Sequence, residues 1–246
     1  MWCVQVPRTS DETRWIDCHR PGEVASREPF RSGREVHVWV ATVHSLLPST
    51  LELSYEENRK AMSFVSPRDQ HRYRFSHVLL RFLLSAYAQC DPAAVQLGKN
   101  NFGKPFLIPA DSGRAIRFNL SHSRDAVCYV LASDQEVGID IEYVDSAFDW
   151  PSVSNAYFTD RERHQLETMQ EEERVTTFFT MWTRKEARLK AVGTGLGGLD
   201  EKGRWKNAPA FENLLVHDFR YRNQYVGTVS LDATLPAIRF FRYAND

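Results

Sequence analysis

"EVGIDIEY", residues 136–143, decides the fold. In a strand successive side chains alternate faces, so Val137, Ile139 and Ile141 form one apolar face while Asp140 and Glu142 stand together on the other. Residues i and i+2 of a strand lie about 6.5 to 7 Å apart. Two carboxylates at that spacing raise each other's pKa unless a cation or full hydration compensates them. From this stretch alone two readings stand: a bound cation, or a solvated pair on an edge strand.

The flanking sequence supplies partners for this strand. "AIRFNLSH" (115–122) and "AVCYVLAS" (126–133) read as strands joined by a short polar turn, and 136–144 follows as the third strand of an antiparallel meander. Upstream, "EVHVWVATV" (35–43) alternates as a first strand, Ser54 and Glu57 have capping-box spacing, and a helical stripe runs from Arg72 through Phe75, Leu79, Phe82, Leu83, Ala86, Tyr87 and Cys90. Downstream, Thr159 and Glu162 form a second capping box, "EERVTTFFTMWTRKEARLKAVG" is a long helix, and strands return at "YVGTVSLDA" and "IRFF". Residues 1–34 show no sustained period and read as an irregular lead held to the surface by Trp2 and Trp15. Helix followed by strands recurs in each half, which predicts an α+β fold with a boundary near Ser133 and Asp134, dividing 1–133 from 134–246. The paired carboxylates then lie beside a junction, a preferred place for ligands.

Composition narrows the function. The chain has 246 residues, 42% hydrophobic and 26% charged, enough for one large domain or two small ones. Lys plus Arg number 31 against 32 Asp plus Glu, so the net charge of -1 argues against a nucleic-acid coat, and any anion site is local. Cys3, Cys18, Cys90 and Cys128 show neither CxxC pairing nor a histidine at zinc-ligand spacing; reduced thiols in a cytoplasmic protein fit this pattern. Neither a signal peptide nor a membrane span is indicated.

The long helix carries a third carboxylate. Its stripe runs Val175, Phe179, Trp182 and on to Leu189, but Glu186 interrupts it. Glu186 either pairs with Lys190 at i,i+4 or joins Asp140 and Glu142 as hard oxygen donors of the type Mg²⁺ or Mn²⁺ takes, which implies a phosphate-bearing substrate. Arg72 lies on an apolar stripe, where it is either a snorkelling side chain or an anion contact. Arg59 and Lys60 read as a solvated helix face. In "FGKPF" (102–106), Gly103 permits close approach and Pro105 stiffens a turn that presents Lys104; in "NLSHS" (119–123), Ser121 and His122 are phosphate donors or a polar turn. "GTGLGG" (193–198) follows a helix rather than opening one, so it ends that helix and is no dinucleotide fingerprint.

In this order, "FGKPFL" (102–107), "FNLSHS" (118–123), "VGIDIE" (137–142) and "WTRKEARLKAVGTGL" (182–196) resemble the Sfp-type 4'-phosphopantetheinyl transferases over about residues 36–246. The specific part is G-x-D-x-E followed some forty residues later by W-x-x-K-E-x-x-x-K. The resemblance implies two similar α/β-layered halves with pseudo-twofold symmetry and the active site at their junction. It implies Mg²⁺ held by Asp140, Glu142 and Glu186. Coenzyme A would be bound by Gly103, Lys104, Pro105, Ser121 and His122, with Arg72 and Lys60 at the nucleotide end. The implied reaction moves phosphopantetheine from coenzyme A to a serine of an apo acyl, peptidyl or polyketide carrier protein. In that scheme Glu186 is the base, directly or through a metal-bound water, and Lys190 stabilises the departing phosphate. Lys185 contacts the pantetheine phosphate or is a helix-surface lysine, while Trp182 packs. A monomer that binds neither nucleic acid nor membrane is expected. The rival readings are a metal-dependent nuclease, whose usual lysine two residues after the strand glutamate is Val144 here, and a catalytically silent nucleotide- or carrier-binding module.

Overall fold

A computed structural model of the chain describes residues 13–47, 51–109, 115–232 and 236–244. In chain order the described residues form β1 (Trp15–Cys18), α1 (Pro21–Ala25), α2 (Glu28–Arg31), β2 (Glu35–Thr42), α3 (Tyr55–Met62), α4 (Pro67–Ala88), β3 (Leu97–Lys99), β4 (Pro105–Leu107), β5 (Ile116–Ser123), β6 (Ala126–Ser133) and β7 (Val137–Tyr143). There follow α5 (Trp150–Tyr157), α6 (Asp160–Glu167), α7 (Glu171–Val192), α8 (Pro209–Glu212), β8 (Leu215–Tyr221), β9 (Tyr225–Leu231) and β10 (Ala237–Tyr243). The fold is α+β. One sheet has the order β1-β10-β2-β6-β5, a second β7-β9-β8, and β3-β4 is a separate hairpin.

The alternation read from 136–143 holds, but β7 does not extend the meander. Both edges of β6 are already occupied, by β2 and β5, so β7 pairs antiparallel with β9 and starts the second sheet. Its apolar face, Val137, Ile139 and Ile141, joins Val38, Val40, Cys128 and Val130 in the core between the two sheets. Each of these large buried side chains contributes about 1.5 to 3 kcal/mol relative to exposure. Its other face meets α7 so closely that a Cβ on Gly138 would stand 2.0 Å from the Ala187 carbonyl oxygen. On the far side, α4 covers the first sheet with Phe75, Leu79, Leu80, Leu83, Leu84 and Tyr87. The order of layers is helix, sheet, sheet, helix.

Local signals fold as read. Both capping boxes form, Ser54 with Glu57 and Thr159 with Glu162. The α4 helix starts at Pro67 rather than Arg72, because Ser66 caps it and proline suits the first turn; the apolar stripe begins only where the helix reaches the core. Gly193 ends α7 in the left-handed conformation, φ 78°. Residues 13–34 are not irregular. β1, α1 and α2 occupy them, and Trp15 packs edge-on against Phe219, Tyr221 and Phe240 while donating Nε1 to the Arg220 carbonyl. Trp2 lies outside the described residues. β1 forms because β10, from the far end of the chain, lies parallel between it and β2. A stretch of four residues owing its structure to a strand more than 200 positions away carries no local period.

His37, only 1% exposed on β2, yields a pH prediction. The Tyr87 hydroxyl accepts from Trp39 Nε1 (2.8 Å) and meets His37 Nδ1 (2.6 Å), an arrangement suited to a neutral imidazole. Burial holds this imidazole down to about 4 against the raising effect of Glu35. The unfolded chain binds a proton near the ordinary value of about 6.5, and the folded chain does so only near 4. Stability is therefore present above pH 6.5 and lost as pH falls towards 4, by about 3 kcal/mol from this group. Urea midpoints measured from pH 7 to 4.5 should show this decline, and His37→Gln should flatten it.

Candidate active site

The site is built where β7 runs alongside β5 without a backbone ladder. Asn119, Ser121 and Ser123 share one face of β5, and two of them stand in for the carbonyls of a neighbouring strand. Asn119 Oδ1 accepts from Ile139 N (3.3 Å) and Ser123 Oγ from Tyr143 N (3.1 Å). The serine hydroxyls then reach the carboxylates. Ser121 donates to Asp140 Oδ1 and Ser123 to Glu142 Oε2, each at 2.7 Å. From α7, Lys190 Nζ lies 2.7 Å from Asp140 Oδ1 and 2.9 Å from Ser121 Oγ. The i,i+4 reading of Lys190 with Glu186 is thus replaced by a link between α7 and β7, which the absence of a side chain on Gly138 permits.

Electrostatically this cluster is short of positive charge. Burial, then the charge of Asp140, pushes the Glu142 carboxyl up to about 7, although Ser123 and Lys190 pull the other way. Burial also raises Glu186; Lys190 opposes that shift and Asp140 adds to it. Burial alone would lower the Lys190 ammonium, but attraction and hydrogen bonding from Asp140 outweigh it, so it is held above its ordinary value. Three acidic side chains share one ammonium.

Among the described residues no three acidic, histidine or cysteine side chains are gathered as a ready cation shell. In the arrangement seen, Lys190 and the two serines compensate part of the charge that the sequence reading gave to a metal. The donors nevertheless suit a divalent ion. All three offer hard oxygens, and Asp140, 3% exposed, has its Oδ2 buried without a hydrogen-bond partner.

His122 alternates to the other face of β5 from Ser121. Desolvation, then the positive charge of Arg72, lowers its pKa, with smaller effects from Lys190 and His77. Arg72 on α4 is held by Asp69 (2.5 Å). His77, absent from the sequence reading, stacks on Tyr73 at 4.0 Å and meets Glu57 Oε1 at 3.4 Å. The only sequence signal for it was Glu57, read as a cap. Beside Glu142 a cavity of about 350 Å³ opens, walled by Tyr143, Phe148, Phe178, Phe179 and Trp182.

Three more lysines of the resemblance have these surroundings. Lys60 is exposed on α3, its ammonium 5.2 Å from the Phe64 ring centre. Gly103, at φ 87°, does form the turn before Pro105, but Lys104 Nζ bonds Glu136 Oε2 (2.7 Å) and the carbonyl of Ala191 (2.8 Å). It ties the hairpin to the carbonyl-rich end of α7, where a cation is favoured. Lys185, 3% exposed, is turned about 140° around the helix from Lys190. Its ammonium is spent on the carbonyls of Tyr157 (2.9 Å) and Gly203 (3.0 Å) and on Glu162 Oε2 (2.9 Å). It is a buried structural cation. Lys185→Met should cost about 3 kcal/mol, since it strands the Tyr157 and Gly203 carbonyls and leaves the Glu162 charge without its cation, while coenzyme A affinity of the folded protein stays unchanged. Chemical denaturation and calorimetric titration read the two effects separately.

Known proteins resemble this chain along most of its length. The N-terminal model of the 4'-phosphopantetheinyl transferases matches residues 37–136, and the model of the 4'-phosphopantetheinyl transferase superfamily matches 136–234. The 4'-phosphopantetheinyl transferase HetI of Nostoc is 32% identical over 171 residues, covering 68% of this chain and 72% of its own. Sfp of Bacillus subtilis is 30% identical over 157 residues (58% and 67%), and gsp of Aneurinibacillus migulanus 32% over 144 (58% and 57%). These matches define a transferase. The chain belongs to the 4'-phosphopantetheinyl transferases. This family acts on carrier proteins, uses coenzyme A as a substrate and generally depends on a divalent metal. No helix of the described residues is long and apolar enough to cross a membrane.

Proposed function

We propose that this chain moves the 4'-phosphopantetheine arm of coenzyme A to a serine hydroxyl of an apo carrier protein of acyl, peptidyl or polyketide type. Adenosine 3',5'-bisphosphate is released, and Mg²⁺, or Mn²⁺ in its place, is held by Asp140, Glu142 and Glu186. The observation that carries this reading is the buried, unpartnered Asp140 Oδ2 beside a Glu142 whose ionisation burial opposes. Bound there, the ion supplies neutralising charge to the diphosphate oxygens.

The protein's own groups do the rest. Lys190, fixed by Asp140 and Ser121, presents its ammonium to the departing phosphate. Glu186, directly or through a water, accepts the proton of the attacking serine. Arg72 supplies the positive charge, and His122 and His77 the imidazole hydrogen-bonding groups, of the wall that receives the nucleotide end. The aromatic cavity beside Glu142 takes the pantetheine arm, whose length and mixed polarity suit it. One chain supplies all these groups, so the proposed active unit is the monomer.

The test is to incubate the protein with coenzyme A, Mg²⁺ and a panel of apo carrier proteins, then look by mass spectrometry for addition of one phosphopantetheine. Addition that requires both coenzyme A and metal is expected. No addition to any carrier favours a silent binding module instead.

A further inference from the structure

Ser123 has no part in the chemistry above, yet its hydroxyl joins two elements. Oγ accepts the Tyr143 N–H (3.1 Å) and donates to Glu142 Oε2 (2.7 Å). A serine hydroxyl carries one proton, so that proton is committed to Glu142. The turn that places Ser123 is itself held under strain. Arg124, a non-glycine residue at φ 50°, occupies the left-handed region, at a cost of order 1 kcal/mol. Its guanidinium lies 3.8 Å over the Tyr143 ring and pairs with Asp145 at 2.6 Å. The hairpin tip therefore grips Tyr143 and Asp145 on either side of position 144, and this sets Ser123 opposite Glu142.

Ser121 and Asp140 repeat the relation two residues earlier, but there Lys190 also holds the carboxylate. Among the described residues the hydrogen bond that orients Glu142 is the one from Ser123. With Oε2 engaged, Oε1 is left for the cleft.

We propose that Ser123 is a positioning residue for the divalent ion. Its hydroxyl holds Glu142 in one orientation, so that the carboxylate meets the ion without first being ordered. Groups that orient metal ligands in this way typically contribute about 10- to 100-fold in metal affinity. The inference rests on the metal reading given under the proposed function.

The experiment uses Mn²⁺ as probe, with free ion measured by electron paramagnetic resonance in the presence of coenzyme A. Wild type, Ser123→Ala, Ser123→Cys and Ser123→Thr are compared. Alanine removes the donor; cysteine keeps the volume with a weak donor and serves should alanine fail to fold; threonine keeps the hydroxyl. Mn²⁺ affinity is expected to fall about 10- to 100-fold in the alanine and cysteine variants and to recover in threonine. The metal concentration for half-maximal transfer should rise in parallel, with a smaller fall in rate at saturating metal. A merely structural tie between the hairpin and β7 would shift the melting midpoint but leave Mn²⁺ affinity alone. Wild-type affinity in both Ser123→Ala and Ser123→Cys overturns the proposal while leaving the metal reading intact. Absence of Mn²⁺ binding by the wild type overturns both.

Discussion

Glu186→Gln is expected to slow transfer to a carrier serine by between about 10²- and 10⁴-fold, the range for loss of a positioned base, while the protein melts at the same temperature or higher. The two halves of that result have one cause. Burial raises the Glu186 carboxyl, so its ionised form is disfavoured by folding and costs stability near neutral pH. Glutamine keeps the shape and removes the charge. It leaves Asp140 and Glu142 facing Lys190 with one fewer negative neighbour, which relieves the cluster even as it disables it. Rates followed by mass spectrometry of the carrier, alongside a melting curve, check both halves. Near-normal transfer with Mg²⁺ would sink the role given to this residue.

Gly138→Ala should do the opposite, damaging the fold first and activity through it. The new methyl would stand 2.0 Å from the Ala187 oxygen and 2.4 Å from the Ala191 nitrogen, both backbone atoms of α7 that no side-chain rotation can move aside. The helix must lift from β7. Overpacking typically costs about 1 to 3 kcal/mol, and a clash with backbone belongs at the upper end. For a chain of this size about 3 kcal/mol lowers the melting midpoint by about 6 to 12 °C. Lys190 and Glu186 ride on the displaced helix, and a misplacement of about 1 Å can cost 10²-fold in rate. Gly22→Ala is the control. No atom lies within 4 Å of its added carbon, so its midpoint should not fall.

Which features could be read in the sequence follows from the range of the forces involved. The capping boxes at Ser54 and Thr159 and the glycine end of α7 are settled within a few residues, and each forms as its spacing requires. The facing of Asp140 and Glu142 follows from strand geometry. The pairing of β7 with β9 and the insertion of β10 beside β1 depend on which sheet edges are free, a property of the assembled chain. Lys104, Lys185 and Lys190 show the same limit at the site. As sequence they are three lysines near phosphate-binding motifs. In the fold one caps the end of α7, one is buried behind it, and one bonds Asp140.

The sequence by itself determined that a strand carries two acids on one face and that a long helix carries a third acid and a lysine one turn apart. Those are statements about period and spacing, and local backbone geometry enforces them. The tertiary structure alone decided that Ser121 and Ser123 hold the two acids, and that Gly138 lets α7 lie close enough for Lys190 to reach Asp140. It also turned two candidate phosphate ligands towards backbone carbonyls. A lysine bonds the nearest acceptors that burial would otherwise leave unsatisfied, and only the packed chain determines where those acceptors are.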